Sequence, residues 1–301
     1  MREDAIVIGG SFAGLSAALQ LVRARRRVLL VDAGLPRNRF AAASHGVLGH
    51  DGRAPADILG DALDQLVRYP TFRLRRGEAV SAAADGDGFA VALADGSRHR
   101  AARLVLATGV RDVLPEIEGM AERWGRSVLH CPYCHGYEVG GRPLGVLAGH
   151  PLSPHKALLI PDWGPTTYFT QGLAEPDAEQ ATALARRGVV VERSPVVALL
   201  GEGAALDGVR LADGRVLPMG AVFATPRTEL VGTLAAQLGC ALDDGPTGPS
   251  LRVDERQQTT VPGVFAAGDA ASSMPSAPLA MAAGSLAGVG AHQSLVFAAP
   301  A

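Results

Sequence analysis

The most reactive feature of this sequence is a pair of cysteines, Cys131 and Cys134, with Pro132 and Tyr133 between them. Two thiols at this spacing can close a disulfide at the start of a helix, and a helix N-terminus lowers the pKa of a thiol. Metal binding is the weaker alternative, because a zinc site needs about four ligands and no second Cys/His pair is evident. The spacing therefore predicts a redox-active dithiol. The third cysteine, Cys240, is expected to be a small buried apolar residue.

The residues around the second cysteine include candidates for proton transfer. Thiol–disulfide exchange needs a nearby acid/base group, and imidazole titrates in the useful pH range. His135 follows Cys134 directly, so we expect His135 to act as the acid/base group, with Glu138 as a residue that orients it. His130, just before the pair, is the alternative base.

A second chemical pattern lies near the start of the chain. Gly9, Ser11 and Gly14 occupy the three positions of the G-x-G-x-x-G turn, with serine in place of the middle glycine. Such a turn lets the backbone approach a pyrophosphate closely at a helix N-terminus. Asp32 ends the next apolar strand, about 20 residues later, where a carboxylate is expected to bind a ribose hydroxyl. Together they predict binding of an ADP-ribose moiety.

The apolar pattern around these motifs predicts how they are positioned. Residues 5–32 form a β-α-β unit, and a degenerate copy of that unit follows around residues 144–187. We therefore expect an α/β fold with two three-layer dinucleotide-binding (Rossmann-like) domains, the second inserted in the first. The expected boundaries are 1-114 and 241-301 for the first domain and 115-240 for the insert. A helix of small residues at 277–291 is expected to press closely against another element.

Composition excludes several classes of function. The chain has 301 residues, of which 48% are hydrophobic, and a net charge of -2, so nothing favours binding to nucleic acid. No segment offers the ~20 strongly apolar residues of a membrane span, and the start of the chain lacks the pattern of a secretory signal. We therefore expect a cytoplasmic protein without a bound metal.

Four segments occur in an order typical of one family: 6–18, 107–109, 131–134 and 264–269. That family is the low-molecular-weight thioredoxin reductases, which the chain resembles over nearly its whole length. The resemblance implies a homodimer with FAD in the two-segment domain, Cys134 against the flavin and Cys131 exchanging with substrate. From the motifs, the resemblance and their place in the chain, the residues expected to bind FAD are Gly9, Ser11, Ala13, Gly14, Asp32, Asn38, Asp51, Val80, Thr108, Gly109, Gly268 and Asp269.

The inserted domain departs from this family. In the related reductases it binds NADPH through G-x-G-x-x-A and a following cluster of arginines, but here the three fingerprint positions are Ala148, His150 and Ser153. The imidazole stands where the pyrophosphate must approach, and Pro151 and Pro154 disturb the first turn of the helix. Residues 170–173 supply no arginine for a 2′-phosphate. These features argue against ordinary NADPH binding.

Residues 131–138 and 151–155 are similar to the flavin dithiol oxidases of the gliotoxin, holomycin and romidepsin type. That resemblance implies that a small-molecule dithiol reduces the Cys131–Cys134 disulfide, the pair reduces FAD, and O2 reoxidises it. Two alternatives stay open. One is a thioredoxin reductase-like enzyme driven by NAD(P)H or ferredoxin, and the other is a non-catalytic FAD redox sensor.

Overall fold

The computed structural model describes residues 2–297 as an alternating α/β chain. In chain order its strands are β1 Glu3–Ile8, β2 Val28–Asp32, β3 Phe72–Arg76, β4 Ala79–Asp85, β5 Gly88–Leu93, β6 Arg98–Leu106, β7 Val110–Val113, β8 Val128–Leu129, β9 Leu144–Leu147, β10 Thr166–Phe169, β11 Val190–Glu192, β12 Val196–Leu200, β13 Gly208–Leu211, β14 Val216–Pro218, β15 Ala221–Ala224, β16 Arg227–Leu230, β17 Leu242–Asp244, β18 Pro249–Leu251 and β19 Val264–Ala266. Strands come before helices in both halves, as the repeated β-α-β pattern predicts.

The helices are α1 Phe12–Arg23, α2 Pro55–Leu66, α3 Met120–Arg123, α4 Pro132–His135, α5 Ser153–Leu159, α6 Ala178–Arg186, α7 Leu234–Leu238 and α8 Ala277–Val296. Short 3-10 helices cover Arg37–Phe40, Ile160–Asp162 and Gly268–Ala271. The sequence gives α6 a strong start, because Asp177 and Gln180 form a reciprocal capping box at its N-terminus.

The chain forms two compact units. Among the described residues, the first unit contains 2–39, 55–111 and 229–297. Its seven-stranded sheet has the order β3-β2-β1-β6-β5-β4, with β19 also pairing with β6. The pairs β1/β2, β1/β6 and β6/β19 are parallel. Parallel strands joined through α1 place the first turn at the carboxyl edge of this sheet.

The second unit contains Phe40–Ala54 and Asp112–Thr228. Its five-stranded sheet has the order β11-β10-β9-β15-β8, and all of its pairings are parallel. A three-stranded antiparallel sheet, β12-β13-β14, completes the unit. Two units with parallel sheets, the second inserted in the first, confirm the predicted fold class.

The boundaries between the units differ from the expected insert of 115-240. The second unit begins at Asp112, ends at Thr228 and also takes in Phe40–Ala54, a segment that the sequence analysis assigned to the first domain. Composition gave no signal for that segment, because its partners in the second unit, such as Glu138 for His45 and Gly125 for Phe40, are distant in sequence.

The small-residue helix predicted at 277–291 forms as the longer helix α8, and it packs closely against α1 as predicted. A Cβ on Gly284 would overlap the backbone of Ala13, and one on Gly288 would overlap that of Ala17. Glycine at these positions therefore lets the two backbones touch. Along residues 2–297 no helix is long and apolar enough to cross a membrane.

Candidate redox and cofactor sites

The cysteine pair lies at α4, a single helical turn in the second unit. Cys131 is the N-cap residue, and Pro132 at the first helical position supplies a backbone angle already suited to a helix. Gly136 follows the turn, and a Cβ there would come within 2.7 Å of the Trp163 indole nitrogen. The same indole makes an edge contact with Tyr133, their ring centres 5.6 Å apart. Trp163 therefore fixes the turn that presents both thiols.

The two thiols have opposite acidities. The hydrogen bond from Cys134 lowers the pKa of Cys131 to about 7, against burial that raises it, and the N–H groups of Cys134 and Tyr133 and the Lys156 ammonium add to the lowering. The pKa of Cys134 is raised, because its thiol donates to Cys131 and is partly buried. Both cysteines are free thiols here and half-buried. Cys131 is therefore the more acidic thiol of the pair.

Lys156 is a charged neighbour that the sequence analysis missed. It lies on α5, and its Nζ donates to the carbonyl oxygen of His130 at 2.8 Å and to the hydroxyl of Thr225. Burial lowers the pKa of Lys156 to about 8, and the charge on Cys131 raises it. One signal was present in the sequence: Lys156 is the single lysine of the chain, among 28 lysines and arginines.

His135, at the end of α4, is the predicted acid/base group. Burial lowers the pKa of His135, the imidazole of His45 lowers it further, and Glu138 opposes them. The ring is therefore neutral at pH 7 and able to accept a proton. The ring centres of His45 and His135 are 6.4 Å apart.

His45 is a second residue that sequence reasoning missed as part of this cluster. Its Nε2 lies 3.4 Å from the Glu138 carboxylate and its Nδ1 lies 3.6 Å from the Asp51 carboxylate. Asp51, expected to approach the flavin, accepts a hydrogen bond from the N–H of Gly46 at 2.8 Å. Asp51 thus belongs to the second unit, whereas Asn38 lies in the first.

A cleft of about 470 Å³ in the second unit is lined by His45, His135 and Glu138. Its other wall is the loop 204–207, which Arg123 holds by donating to the carbonyl oxygen of Ala205 at 2.8 Å. The volume falls within the ~300–1,000 Å³ of small-molecule sites. The predicted acid/base residue therefore faces a space that a small ligand can enter.

The first turn, in the other unit, has the geometry of a pyrophosphate cradle. Gly9 has φ +111°, and a Cβ on it would overlap the carbonyl of Ala107. A Cβ on Gly14 would overlap the carbonyl of Gly9. Within residues 2–297 no hydrogen bond engages the N–H groups of 11–13, which begin the twelve-residue helix α1. These open donors at a helix N-terminus suit an anionic group.

Asp32 ends β2 beside this turn. Its carboxylate accepts hydrogen bonds from the N–H groups of Gly10 and Gly34, both at 3.1 Å, and pairs with Arg76. The side chain is thus aimed back at the turn.

The other expected FAD residues lie in the first unit too, Asp51 excepted. Asp269 starts the 3-10 helix after β19 together with Gly268, and its carboxylate accepts a hydrogen bond from Arg37 at 2.8 Å. Asn38 is half-buried in the 3-10 helix that contains Arg37. Residues 108–109 follow β6 at the carboxyl edge of the sheet.

Val80 stands apart from this group in its contacts. It lies on β4 with 44% of its surface exposed, and its carbonyl accepts a hydrogen bond from Gln237 at 3.1 Å. Cys240 is 8% exposed and donates to Thr259, so the expected small buried residue is found.

The second turn, between β9 and α5, is closed by its own side chains. The hydroxyl oxygen of Ser153 accepts hydrogen bonds from the N–H groups of Gly149 at 3.1 Å and His150 at 3.2 Å. The Nδ1 of His150 accepts the N–H of Leu152 at 3.1 Å. Pro151 has no N–H. The donors that would face a pyrophosphate are therefore already bonded within the turn.

Two nucleotide-type folds, one with an open turn and one carrying a dithiol, define a disulfide oxidoreductase of the flavoprotein class. The chain belongs to the pyridine nucleotide-disulphide oxidoreductase family, whose model matches residues 3–151 and 173–284. The unmatched residues 152–172 include α5 and β10. The match thus breaks off at the closed turn.

Known proteins resemble the chain over nearly its whole length. Thioredoxin reductase tcpT of Claviceps purpurea (strain 20.1) is 33% identical over 321 residues, covering 97% of this chain and 94% of its own. The crystal structure of an oxidoreductase from Agrobacterium tumefaciens has 48% identity and a TM-score of 0.95, covering 99% of this chain and 100% of that one. The crystal structure of HlmI has 39% identity and a TM-score of 0.90, covering 98% and 93%.

These relationships confirm the resemblance on which the sequence analysis relied. The protein is a thioredoxin reductase-like oxidoreductase, a class that acts on disulfide or dithiol substrates, and FAD is its cofactor. The open donors and enforced glycines of the first turn fit the pyrophosphate of FAD.

Proposed function

We propose that the protein oxidises a small-molecule dithiol to a disulfide, with Cys131 and Cys134 as the redox pair and O2 as the final electron acceptor. The closed second turn carries the proposal, because Ser153 and His150 occupy the donors that a pyridine dinucleotide would need. An FAD enzyme with a dithiol but no open second turn takes its electrons most simply from a thiol substrate. The similarity to flavin dithiol oxidases supports the same direction.

The cysteines divide the work by acidity. In the oxidised enzyme, His135 takes the proton of one substrate thiol, and the resulting thiolate attacks Cys131. The Cys131–Cys134 bond breaks with the electron pair on Cys134, whose raised pKa lets it take that proton from His135. His135 is thereby neutral again for the second step. The second thiol of the substrate then attacks the first substrate sulfur, which is bound to Cys131. This releases the product disulfide and the Cys131 thiolate. The low pKa of Cys131 makes it the better leaving group in that second step.

His135 serves as the base in this scheme. Burial keeps its imidazole neutral at pH 7, so it can take the proton from a substrate thiol before attack. Glu138, which shares the cleft wall with His135, favours the protonated imidazole that results. The cleft of about 470 Å³ that His135 and Glu138 line has the volume of a small-molecule site, which fits a small dithiol.

The FAD-binding residues are part of the proposal. When bound, FAD supplies the two-electron acceptor for the reduced cysteines and passes the electrons to O2. Residues proposed to hold it are Gly9, Ser11, Ala13 and Gly14 at the pyrophosphate, Asp32 at ribose, Val80 at adenine, and Asn38, Asp51, Thr108, Gly109, Gly268 and Asp269 around the rest. The test of this assignment is FAD content in variants of the first turn.

An anaerobic titration of the purified FAD-containing protein tests the direction of electron flow. Dithiothreitol, NADPH and NADH are added in parallel while the flavin absorbance is recorded. We expect dithiothreitol alone to bleach the flavin, and air then to restore the colour with one equivalent of hydrogen peroxide formed per disulfide. Cys131→Ser should lower the rate of flavin bleaching by dithiothreitol by a factor of about 1,000 or more. Cys240→Ala is the matched control and should leave that rate unchanged.

Other outcomes of the titration identify the alternatives. Rapid bleaching by NADPH without a thiol, or by reduced ferredoxin, would establish a thioredoxin reductase-like enzyme. A cysteine pair that equilibrates with glutathione but turns over no dithiol would establish a redox sensor.

The role of His135 has its own test. His135→Gln should slow dithiol oxidation by about 100-fold, the usual contribution of a positioned acid/base group, and should remove the fall in rate at low pH. The control is His155→Gln, which changes an exposed imidazole on α5. Equal rates for the two variants would exclude His135 as the base.

The homodimer and the cytoplasmic location also belong to the proposal. Helix α8 exposes Leu279, Leu286 and Val289, a row of apolar side chains that a second copy would cover. Sedimentation velocity of the FAD-loaded protein tests the dimer. A reducing compartment suits a cysteine pair that must cycle between dithiol and disulfide, and cell fractionation tests that location.

A further inference from the structure

Lys156 is exceptional within this chain. Of its 28 lysines and arginines, 27 are arginine and one is Lys156. Arginine is always protonated and spreads its charge over a planar group, whereas lysine is a compact point charge whose pKa shifts readily on burial. The single lysine of a chain that otherwise uses arginine thus lies at a half-buried position.

That position is beside the redox pair. The Lys156 ammonium donates to the carbonyl oxygen of His130, the residue directly before Cys131, at 2.8 Å. It also donates to the hydroxyl of Thr225, directly after β15. These two bonds fix Nζ at the base of the α4 turn. Within the described residues no carboxylate is among the groups that shift the pKa of Lys156.

The charged and titratable groups that face Lys156 are few. Cys131 is the one that raises its pKa, while burial lowers that pKa to about 8. Cys131 in turn faces Cys134 from its own helix and Lys156 from α5. Burial lowers the pKa of His150, and the Lys156 ammonium lowers it further. Negative charge near Lys156 therefore comes from the Cys131 sulfur.

We propose that Lys156 is a positioning residue that stabilises negative charge on Cys131 as the product disulfide leaves. The proposal deepens the proposed dithiol oxidation and rests on it. Helix α5 would thus contribute two residues with different roles: Ser153 closes the dinucleotide turn, and Lys156, one turn later, stabilises the thiolate of Cys131.

The step is an exchange of one sulfur–sulfur bond for another. Substrate sulfur is bound to Cys131 in a mixed disulfide, and the second substrate thiol gives its proton to His135 and attacks that bound substrate sulfur. The new bond joins the two substrate sulfurs, and the bond to Cys131 breaks with the electron pair on Cys131. The substrate is oxidised by two electrons over both steps, and the cysteine pair is reduced by two. Lys156 neutralises the thiolate released.

Alkylation of Cys131 tests the charge interaction without any turnover. The FAD-loaded Cys134→Ser protein keeps a hydroxyl beside Cys131, and iodoacetamide labelling of the Cys131 peptide is followed by mass spectrometry across pH 5 to pH 10. We expect Lys156→Met to slow labelling at pH 7 by about threefold and to move the rate profile to higher pH, because an opposite charge favours the thiolate. Lys156→Arg should restore both.

A matched control removes another cation that holds α5. Arg187 donates to the carbonyl oxygen of Leu158 at 3.2 Å and pairs with Asp162 at 2.7 Å, away from the thiols. Arg187→Met should therefore leave the labelling profile unchanged. If Lys156→Met has no effect on the profile, or if Arg187→Met shifts it equally, the proposal is overturned.

A spectroscopic measurement uses the single lysine directly. Protein made with lysine labelled at Cε with ¹³C gives one lysine signal, whose shift follows the charge of Lys156. We expect it to titrate at lower pH in the oxidised protein or in Cys131→Ser than in the reduced protein, because the thiolate that raises its pKa is absent. Equal midpoints in both redox states would overturn the proposal. Both measurements stand even if no dithiol is oxidised, so failure of the proposed function would be seen separately.

Discussion

The two turns at the carboxyl ends of parallel strands, one in each unit, share one design and differ in what their N–H groups bond to. In the first unit the donors of 11–13 have no partner within residues 2–297. In the second, the donors of Gly149, His150 and Leu152 are bonded to side chains of the same turn. A nucleotide phosphate would have to displace those bonds, so the second turn is closed to it by its own hydrogen bonding.

The residue at the end of the next strand also differs between the two units. Asp32 ends β2 with its carboxylate on Gly10 of the first turn. In the second unit Gln171 follows β10, and its side chain is turned to the backbone of Val196, accepting at 2.7 Å and donating at 3.2 Å. Gln171 thus bonds away from the second turn, whereas Asp32 bonds to the first. Two turns of the same architecture therefore differ through a few side chains.

The largest expected effect comes from filling the first turn. Gly14→Ala places a Cβ against the carbonyl of Gly9, so the turn must shift and FAD content should fall by about tenfold or more, with a stability cost of about 1–3 kcal/mol. Flavin absorbance per protein measures the content. The control is Gly60→Ala, in α2 of the same unit, where a Cβ meets nothing within 4 Å. Gly60→Ala should retain FAD, and its free energy of unfolding should rise by about 1 kcal/mol.

A smaller effect separates the two strand ends. Asp32→Ala removes the ribose partner and the acceptor for Gly10, so FAD should bind about tenfold more weakly in reconstitution from apoprotein. Gln171→Ala, the counterpart in the second unit, should leave FAD affinity unchanged. Equal losses of FAD affinity in the two variants would show that Asp32 has no special role beside the first turn.

The smallest effect concerns the bonds that close the second turn. Ser153→Ala removes the acceptor of two N–H groups, so the free energy of unfolding should fall by about 1 kcal/mol, seen as a lower thermal midpoint. Ser11→Ala is the matched control when both variants are compared without FAD, because the Ser11 hydroxyl makes no capping bond. A midpoint unchanged by Ser153→Ala would mean that water replaces the bonds, and the turn would be open after all.

Much of the fold could be predicted from sequence, because it depends on local patterns. Alternation of apolar runs located β1, α1 and β2, and the degenerate copy located β9 and α5 within a residue or two. The small residues of α8 predicted its close packing. Each of these signals lies within a short stretch of chain, where side-chain period and turn chemistry act.

The candidate site was predicted less completely. Cys131, Cys134 and His135 are neighbours in sequence, so their spacing revealed them. His45 joins Glu138 only through a segment that packs with the second unit, and Lys156 on α5 bonds the carbonyl of His130, directly before Cys131. No local pattern encodes such contacts.

The sequence by itself determined the chemistry that is available: two thiols two residues apart, an imidazole after them, and glycines where a backbone must approach a phosphate. Only the tertiary structure decided which groups act on one another. Ser153 proved to close a turn, Lys156 to bond the backbone next to the cysteine pair, and His45 to stand between two carboxylates. The reason is physical, because charge and hydrogen bonding act over a few ångströms of space, and folding alone brings distant residues that close.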